Sequence, residues 1–571
     1  MAAPTSVVPL ALRDQAGLTL RPYQQEAVTA IARGLAEAGA RGQLRAACGS
    51  GKTLIAQLVA QRLVRSGTVA VLVPSLALVA QTLTSWRRHH VGGQPLRALA
   101  VCSDDTVADA PAHLDDLVAL SSGPVTTEVP VIAEWLSGQP AGQPSLIVGT
   151  YASADKLAAA VRSHGRPLDL LIADEAHHLA GPTDAATAKV VDSARLPARR
   201  RLYMTATPRL NEGTDHNGAG WHTMDDQTVF GPVLYDYPFA RAIAEGYLED
   251  YRVVVVGIAD AQARNLLTDP DAHYTDHPGG PSLHTIVAQA ALAKAREQFT
   301  LRRALTFHHY VTDAHEFAST LPATLARLGS TTGLTTAHIN GQMDHRQREQ
   351  ILHQLREVPA DGWSVVSNVR CLGEGVDVPA VDGVLFAHPK RSTVDIVQAV
   401  GRALRRHPDT PGPSTIIIPI VVPAEQGEIG DLDPKDYATI WHVLRALRAH
   451  DEPLGTALNH QRSHNPAATP RLPEKITIVL PPGTSTHFLD QLTLLTVRQT
   501  TSPWWEGYTR ATSYHTEYGH LGVPDDYRTE DGFHLGSWIG DQRKAYRKGV
   551  LAQERIAALE ALDIVWDMRN R

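Results

Sequence analysis

Residues 46–53, AACGSGKT, decide the fold of this chain. Gly49 and Gly51 let the backbone wrap closely, so that its N–H groups and the start of the following helix point at an anion. Lys52 is a mobile positive charge suited to the β- and γ-phosphates of a nucleotide, and the Thr53 hydroxyl can ligate Mg²⁺. The next residues, LIAQLVAQRLV, have the apolar spacing of a helix packed on a sheet. The stretch therefore predicts a phosphate loop at the start of a helix that packs on a sheet.

Short apolar runs alternate with helical patterns around this loop, from about residue 18 to 235. Each run ends in small, polar or charged residues, as expected for parallel strands that are buried on both faces and carry functional loops at their carboxyl ends. These runs are TVAVLVP (68–74), SLIVGT (145–150), LDLLIADE (168–175) and RLYMTAT (201–207). A second series consists of RALTFHH (303–309), WSVVSNV (363–369), VDGVLFAH (381–388) and STIIIPIVV (414–422). Two α/β domains in tandem, each built on a parallel sheet, are therefore expected.

The run LDLLIADE ends in two adjacent carboxylates, Asp174 and Glu175. At the carboxyl end of a buried parallel strand, this pair is expected to face the phosphate loop across one edge of the sheet. Asp174 suits the outer coordination shell of Mg²⁺, through water, and Glu175 suits polarising the water that attacks a γ-phosphate. The buried run before the pair argues against the alternative, a solvated acidic turn. ATP and Mg²⁺ are therefore the expected ligands.

The composition is that of an ordinary globular protein, with 571 residues, 43% hydrophobic and 20% charged. This length predicts three or four domains, and the lack of a run of 18 apolar residues predicts no membrane-spanning helix. The N-terminus lacks the basic region of a signal peptide. The three cysteines, Cys48, Cys102 and Cys371, have no zinc-site spacing and favour a reducing cytoplasm. The net charge of −7 does not exclude a nucleic-acid partner, because only the groove that holds a strand must be basic.

Several motifs stand in the order and spacing of superfamily 2 helicases and resemble that family. The principal ones are GSGKT (49–53), DEAH (174–177), TAT (205–207) and QAVGRALR (398–405). Further ones are LRPYQ (20–24), VPSLALVAQ (73–81), GTYAS (149–153), INGQMDHRQRE (339–349) and CLGEGVDVP (371–379). The resemblance covers about residues 18–422 and looks closer to DNA translocases and restriction-type motors than to RNA splicing helicases. It implies two RecA-like domains that close on ATP.

The resemblance implies roles for residues that the spacing alone does not explain. Gln24 is expected to read the adenine, Ser50 to lie with its neighbours in the nucleotide site, and Gly375 and Asp377 to sense the nucleotide from the second domain. Contacts with one nucleic-acid strand, or coupling of the ATP site to strand movement, are implied for Pro74, Ser75, Gly149, Thr150, Thr205 and Thr207.

Two arginines of QAVGRALR are expected to complete the ATP site. Arg402 and Arg405 lie three residues apart, so both face one side of a helix. From the second domain they can reach the γ-phosphate held by the first, and such an arginine finger typically contributes about 10³–10⁵ in rate. Gln398 lies one turn before Arg402 and is expected to contact the phosphate or the water. The alternative for the arginines is a basic helix face in solvent.

Residues 501–571 resemble the helicase-associated domain, a three-helix module with the pattern W…G…VP..Y….G..LG.W…QR..Y..G.L. A basic band beside its aromatic face either engages phosphates or is a solvated charged surface. The band consists of Arg543, Lys544, Arg547 and Lys548. Trp504, Trp505 and Trp538 are expected in the core rather than as stacking platforms for bases.

The expected organisation has six parts. They are an N-terminal tail (1–17), a first RecA-like domain (18–235), a connecting segment (236–295), a second RecA-like domain (296–425), a helical segment with a linker (426–500) and the three-helix domain (501–571). The expected function is ATP-dependent movement along DNA, or its unwinding, without a membrane partner. The alternatives are an RNA helicase and an ATP-gated clamp without processive movement. Since the sequence holds no convincing nuclease cluster, any nuclease would be a separate protein partner.

Overall fold

The protein is described by a computed structural model that covers the chain with gaps. The described residues are 20–89, 96–102, 125–182, 190–209, 221–268, 281–330, 333–341, 343, 345–359, 361–369, 378–388, 392–405, 412–423, 432–463, 471–501, 504–529, 532–549, 551 and 553–567. The expected N-terminal tail (1–17), Cys371, Gly375 and Asp377 lie outside them. The fold divides into two compact units, one of Met1–Arg252 and Ala261–Pro419, the other of Val253–Asp260 and Ile420–Arg571.

The first sheet lies in the first unit, and its described pairs are parallel. Its strands are β1 (Arg41–Ala46), β2 (Gly67–Val73), β3 (Arg97–Val101), β4 (Pro144–Thr150), β5 (Leu170–Ala173), β7 (Arg201–Thr205) and β9 (Val233–Tyr237), while β6 (Gly181–Pro182) and β8 (Trp221–His222) form a short antiparallel pair. The spatial order is β3-β4-β2-β5-β7-β1-β9. All four apolar runs expected in this domain are strands, which confirms that part of the prediction.

Helices cover this sheet with their apolar faces. They are α1 (Pro22–Gly34), α2 (Lys52–Leu63), α3 (Leu76–Arg88), α4 (Val129–Ser137), α5 (Ala154–His164), α6 (Gln227–Phe230) and α7 (Phe239–Ala244). One core joins β-strand residues such as Leu171 to helix residues such as Leu157 and Ile132, each at most 1% exposed. Continuous burial on both faces is what the uninterrupted apolar runs predict for parallel strands.

The second sheet repeats this architecture, again with parallel pairs. Its strands are β10 (Tyr251–Ala259), β11 (Arg303–Phe307), β12 (Leu334–Ile339), β13 (Trp363–Asn368), β14 (Gly383–Phe386), β15 (Ser414–Val422) and β16 (Ile476–Val479). Their order is β12-β13-β11-β14-β15-β10-β16. The helices that follow α7 are α8 (Asp260–Thr268), α9 (Leu283–Phe299), α10 (Val311–Arg327), α11 (His345–Arg356) and α12 (Thr393–Ala403). The tandem parallel sheets confirm the expected fold class.

Two segments for which no strand was predicted each contribute one to the second sheet. Segment 236–295, expected as a connection, contains β10, and segment 426–500, expected as helices and a linker, contains β16. The second of these segments also holds α13 (Ala438–Arg448), α14 (Glu452–Ser463) and α15 (Thr486–Thr500). The domain boundaries themselves stay predictions.

The C-terminal module consists of α16 (Trp504–Tyr518), α17 (Leu535–Arg547) and α18 (Gln553–Glu560) around a common core. Trp504 is buried there, as expected, and its Nε1 donates a hydrogen bond to Gln542 Oε1 at 2.7 Å. Arg543 corrects the expectation of a four-residue basic band. It is buried, and its Nε donates to the carbonyl of Val565 at 2.8 Å, so it holds the module together from inside.

None of the helices in the described ranges combines the length and the apolar character that a bilayer crossing requires.

Candidate active site

The phosphate loop joins β1 to α2 in a conformation that depends on its glycines. Gly49 and Gly51 have φ angles of +80° and +83°, in the left-handed region that favours glycine. A side chain at position 51 would also meet the Gln24 amide nitrogen at 2.8 Å. The Ser50 hydroxyl between the glycines is buried and has no hydrogen-bond partner among the described residues. The loop therefore presents a cradle with an unsatisfied hydroxyl, a form that suits an anion.

Three adjacent strands bring the first domain's predicted residues to one edge of the sheet. In the order β5-β7-β1, the carboxylates follow β5, the TAT motif ends β7 and the phosphate loop follows β1. All these strands run parallel, so their carboxyl ends meet at the same edge. The structure therefore places the carboxylates and the loop at the same sheet edge, with the end of β7 between them.

Lys52 lies among acidic neighbours. Its Nζ donates to the Ala46 carbonyl at 3.3 Å. Burial lowers the pKa of Lys52, but the negative charges of Glu175 and Asp174, together with Cys48, outweigh burial and raise it above its ordinary value. The ammonium is therefore held in its charged form beside the loop, as binding to phosphate requires. Thr53, the other predicted residue at the start of α2, is partly exposed.

Glu175 has a backbone conformation that non-glycine residues avoid. Its φ and ψ are 49° and 48°, a left-handed geometry that costs about 1–2 kcal/mol for an L-residue. Its backbone N–H donates to Asp174 Oδ1 at 2.9 Å, and the Asp174 carbonyl accepts from the Tyr151 hydroxyl at 2.5 Å. Glu175 Oε2 is buried without a hydrogen-bond partner among the described residues. Strain and an unsatisfied oxygen coincide at the residue predicted to polarise water.

His177 connects the carboxylates to the TAT motif. It is buried, and its Nδ1 lies 3.5 Å from Glu175 Oε2, 3.0 Å from Thr205 Oγ1 and 3.4 Å from Thr207 Oγ1. Both threonines are themselves buried, so they contact the interior of the site and not the surface. No role was predicted for His177, although its place in DEAH, two residues after Glu175, was the available signal.

The arginine-bearing helix α12 lies against the phosphate loop. A Cβ placed on Gly401 would be 2.6 Å from Cys48 Cβ, and one placed on Gly49 would be 3.8 Å from Arg405 Cγ. Arg402 is only 7% exposed, which excludes the alternative of a basic face in solvent for this residue. Gln398 is likewise buried on α12. The structure therefore brings Arg402 and Arg405 of the second domain to the loop of the first.

The Cys48 thiol lies near charged side chains of both RecA-like domains. Burial raises the pKa of its thiol, and Glu175 raises it further. The positive charges of Lys52, Arg402 and Arg405 lower it without cancelling the effect of burial. Four charged side chains from two domains are therefore near enough to act on one sulfur atom.

The glutamine motif at the start of α1 is hydrogen-bonded to the same loop. The Tyr23 hydroxyl and the Gln24 Nε2 donate to the Ser50 carbonyl at 2.8 and 3.3 Å. The Tyr23 ring stacks on Tyr237, with 4.0 Å between centroids. The sequence carries no sign of a role for either tyrosine, although Tyr23 stands next to Gln24 in LRPYQ.

The residues predicted to touch nucleic acid have local partners. Ser75 caps α3, because its Oγ accepts from the Leu78 N–H at 3.4 Å. The Thr150 Oγ1 accepts from the Ser153 N–H at 3.3 Å, and a Cβ on Gly149 would lie 2.9 Å from the carbonyl of Val101. Pro74 is partly exposed. Local structure therefore accounts for Ser75, Gly149 and Thr150, and the strand contacts stay a prediction.

Comparison with protein families divides the chain in the same way as the fold. Residues 17–210 match the family described as "Type III restriction enzyme, res subunit", and residues 289–407 match "Helicase conserved C-terminal domain". Residues 501–567 match "Helicase associated domain".

Relatives and solved structures agree with these families. A protein of African swine fever virus, named as a probable helicase, is 28% identical over 408 residues, which are 71% of this chain and 41% of the viral protein. The chain thus spans less than half the length of the curated relatives that it matches.

Two solved restriction enzymes share the fold. The "ATP-dependent Type ISP restriction-modification enzyme LlaBIII bound to DNA" has a TM-score of 0.70 and 22% identity, covering 97% of this chain and 40% of that one. A nuclease-deletion mutant of the Type ISP enzyme LlaGI, in complex with a DNA substrate mimic, has a TM-score of 0.59 and 20% identity over 96% of this chain and 40% of its own.

Proposed function

Because the chain belongs to the restriction-type helicases of superfamily 2 and carries a C-terminal helicase-associated domain, we propose that it is an ATP-driven DNA translocase. The observation that carries the proposal is the convergence at one loop of Lys52 and Glu175 from the first domain with Arg402 and Arg405 from the second. Two domains that each hold part of an ATPase site can convert hydrolysis into relative movement. A reducing cytoplasm, favoured by the low cysteine content, is the proposed setting.

ATP hydrolysis would use these side chains in separate roles. Lys52 binds the β- and γ-phosphates, and Glu175 orients the attacking water. Arg402 and Arg405 offset the negative charge that develops on the γ-phosphate during transfer. Gln398 contacts the phosphate or the water from the same helix. The buried positions of Arg402 and Gln398 support this assignment, because electrostatic interactions are stronger where solvent is excluded.

The nucleotide and its ion fit the residues present. The two left-handed glycines and the unsatisfied Ser50 hydroxyl form a cradle for phosphate oxygens. Gln24, already at the rim of the loop, would read the adenine. Mg²⁺ would be held by Thr53 and, through water, by Asp174, and it supplies neutralising charge to the phosphates.

DNA is the proposed track for the motor. The two solved enzymes with this fold are described as bound to DNA or to a DNA substrate mimic, and the viral relatives are named as helicases. Closure of the two domains on ATP, followed by opening after hydrolysis, would move the strand contacts by one step per cycle.

A panel of ATPase assays tests the proposal. The full chain is assayed without nucleic acid and with single-stranded DNA, duplex DNA or RNA, with Lys52→Ala as the inactive control. Duplex DNA should stimulate turnover most. Stimulation by RNA alone would replace the proposal with an RNA helicase.

A triplex-displacement assay then separates a motor from a clamp. A translocase removes the third strand from duplex DNA at a rate that depends on ATP hydrolysis. DNA-stimulated hydrolysis without displacement would identify an ATP-gated clamp.

A further inference from the structure

Tyr151 connects two motifs that lie on non-adjacent strands. It is the first residue after β4, in the short turn Tyr151–Ser153, and its side chain is 4% exposed. Its hydroxyl donates to the Asp174 carbonyl, although β2 lies between β4 and β5 in the sheet. One buried side chain therefore reaches past a strand end, from the segment that the resemblance relates to strand contacts to the candidate ATPase site.

The hydrogen bond acts on the most strained peptide of the site. The Asp174 carbonyl belongs to the peptide unit that precedes Glu175, whose φ is +49°. The N–H of the same peptide donates to Asp174 Oδ1, so the peptide plane is held at both ends. A sparsely populated backbone conformation persists only when its surroundings fix it in this way. Tyr151 therefore contributes directly to the orientation of the Glu175 backbone and its carboxylate.

The turn that carries Tyr151 is internally braced. Thr150 Oγ1 accepts from the Ser153 N–H at 3.3 Å and donates to Ser153 Oγ at 3.0 Å, and α5 begins at the next residue. Because the turn is tied to itself, a displacement of its backbone carries the Tyr151 ring with it. A force on residues 149–153 is then passed to the Asp174–Glu175 peptide.

We propose that Tyr151 is a positioning residue that transmits nucleic-acid binding at the turn 149–153 to Glu175 and so sets the rate of ATP hydrolysis. The proposal rests on the proposed function, since it requires that DNA stimulate the ATPase. A tyrosine that only fills the core would affect the rates with and without DNA by the same factor. A coupling residue changes their ratio.

The test compares the full chain with Tyr151→Phe, which removes only the hydroxyl. The matched control is Tyr203→Phe in β7, whose buried hydroxyl has no hydrogen-bond partner among the described residues. ATP turnover is measured without and with saturating duplex DNA, and DNA affinity by fluorescence anisotropy. We expect Tyr151→Phe to lower the stimulated-to-basal ratio about tenfold and to leave the Kd for DNA within about twofold, because one buried hydrogen bond is lost and no surface group changes. Tyr203→Phe should keep the wild-type ratio.

A second variant, Ser153→Ala, keeps the test informative if Tyr151→Phe fails to fold. Ser153→Ala removes one brace of the turn without touching Asp174 and should lower the ratio about two- to threefold, in protein with a wild-type melting temperature. Wild-type ratios in both Tyr151→Phe and Ser153→Ala would overturn the coupling role, even if both rates fall together. A wild-type enzyme that no nucleic acid stimulates would instead overturn the proposed function, and the coupling role with it.

Discussion

Two buried polar groups at the candidate ATP site differ in their hydrogen bonding from two buried donors in the C-terminal three-helix module, Trp504 and Arg543. At the loop, the Ser50 hydroxyl and Glu175 Oε2 are buried without hydrogen-bond partners among the described residues, and Glu175 is strained. In the module, Trp504 and Arg543 are buried and donate to acceptors at 2.7 and 2.8 Å. An unsatisfied buried group costs about 1–3 kcal/mol, and at the candidate ATP site a bound nucleotide or water can supply the missing partner. Ser50 and Glu175 therefore have polar atoms available to a ligand, whereas Trp504 and Arg543 already use theirs within the fold.

The largest expected effect sets a loop lysine against a module lysine. Lys52→Ala removes the ammonium beside the phosphate cradle and should lower ATP turnover by about 10³-fold or more, since a fixed charge at the transferring phosphoryl group is lost. Lys544→Ala removes an exposed cation paired with Asp541 at 3.1 Å and should leave turnover within about twofold. Steady-state ATPase assays with saturating nucleotide measure both. Equal losses in the two variants would contradict the contrast.

The same comparison applies to two buried arginines. Arg402→Ala should lower ATP turnover about 10³-fold while the melting temperature stays near wild type. Arg543→Ala should retain basal turnover but destabilise the second unit by about 2–3 kcal/mol, because the carbonyls of Val565 and Leu521 lose a charged donor.

Urea unfolding and ATPase rates, measured on the same preparations, check both arginine variants. Wild-type stability in Arg543→Ala would show that the hydrogen bonds of Arg543 do not stabilise the module, and would favour the surface role that the sequence suggested. Unchanged turnover in Arg402→Ala would remove that arginine from the ATP site.

A smaller effect concerns backbone strain. Glu175→Gly relieves the left-handed conformation and should stabilise the first unit by up to about 1 kcal/mol while abolishing ATP hydrolysis, so that stability and activity change in opposite directions. Asp563→Gly, at φ +54° in the module, should gain only a few tenths of a kcal/mol and keep full activity, because aspartate tolerates this region better. Thermal unfolding with parallel ATPase assays measures both. A Glu175→Gly variant less stable than wild type would show that the strain is offset by contacts of the carboxylate.

The sequence predicts those parts of the fold that depend on local pattern. Buried strands such as β5 appear as apolar runs, and the spacing of GSGKT and DEAH predicts that their residues meet at one sheet edge. It does not predict β1, RGQLRA, because the polar Gln43 is buried there with its Nε2 donating to the carbonyls of Met224 and Gly231. Nor does it predict β12, an edge strand whose residues are mostly half-buried and therefore form no apolar run.

The site shows the same limit. Arg402 and Arg543 both lie on helices, one and three residues after a glycine, yet Arg402 lies near the phosphate loop and Arg543 donates to the carbonyl of Val565. Tyr151 gives no signal, because its partner lies two strands away. The spacing of motifs predicts which motifs come together, but the hydrogen-bond partner of a side chain is known only from the folded structure.

The smallest expected effect on ATP turnover belongs to a histidine that gives the stability of the second unit a pH dependence. Burial lowers the pKa of His450 to about 4, whereas an unfolded histidine takes up its proton near 6.5. The unfolded chain therefore binds the proton first as pH falls, and stability is lost between about pH 6.5 and 4. At pH 5 the loss should approach about 1–2 kcal/mol in the wild type and be absent in His450→Gln. Urea unfolding at pH 7 and pH 5 measures it, and an equal loss in both proteins would place the acid sensitivity elsewhere. Because this histidine serves the fold and not the phosphate loop, the variant should keep wild-type ATP turnover at pH 7.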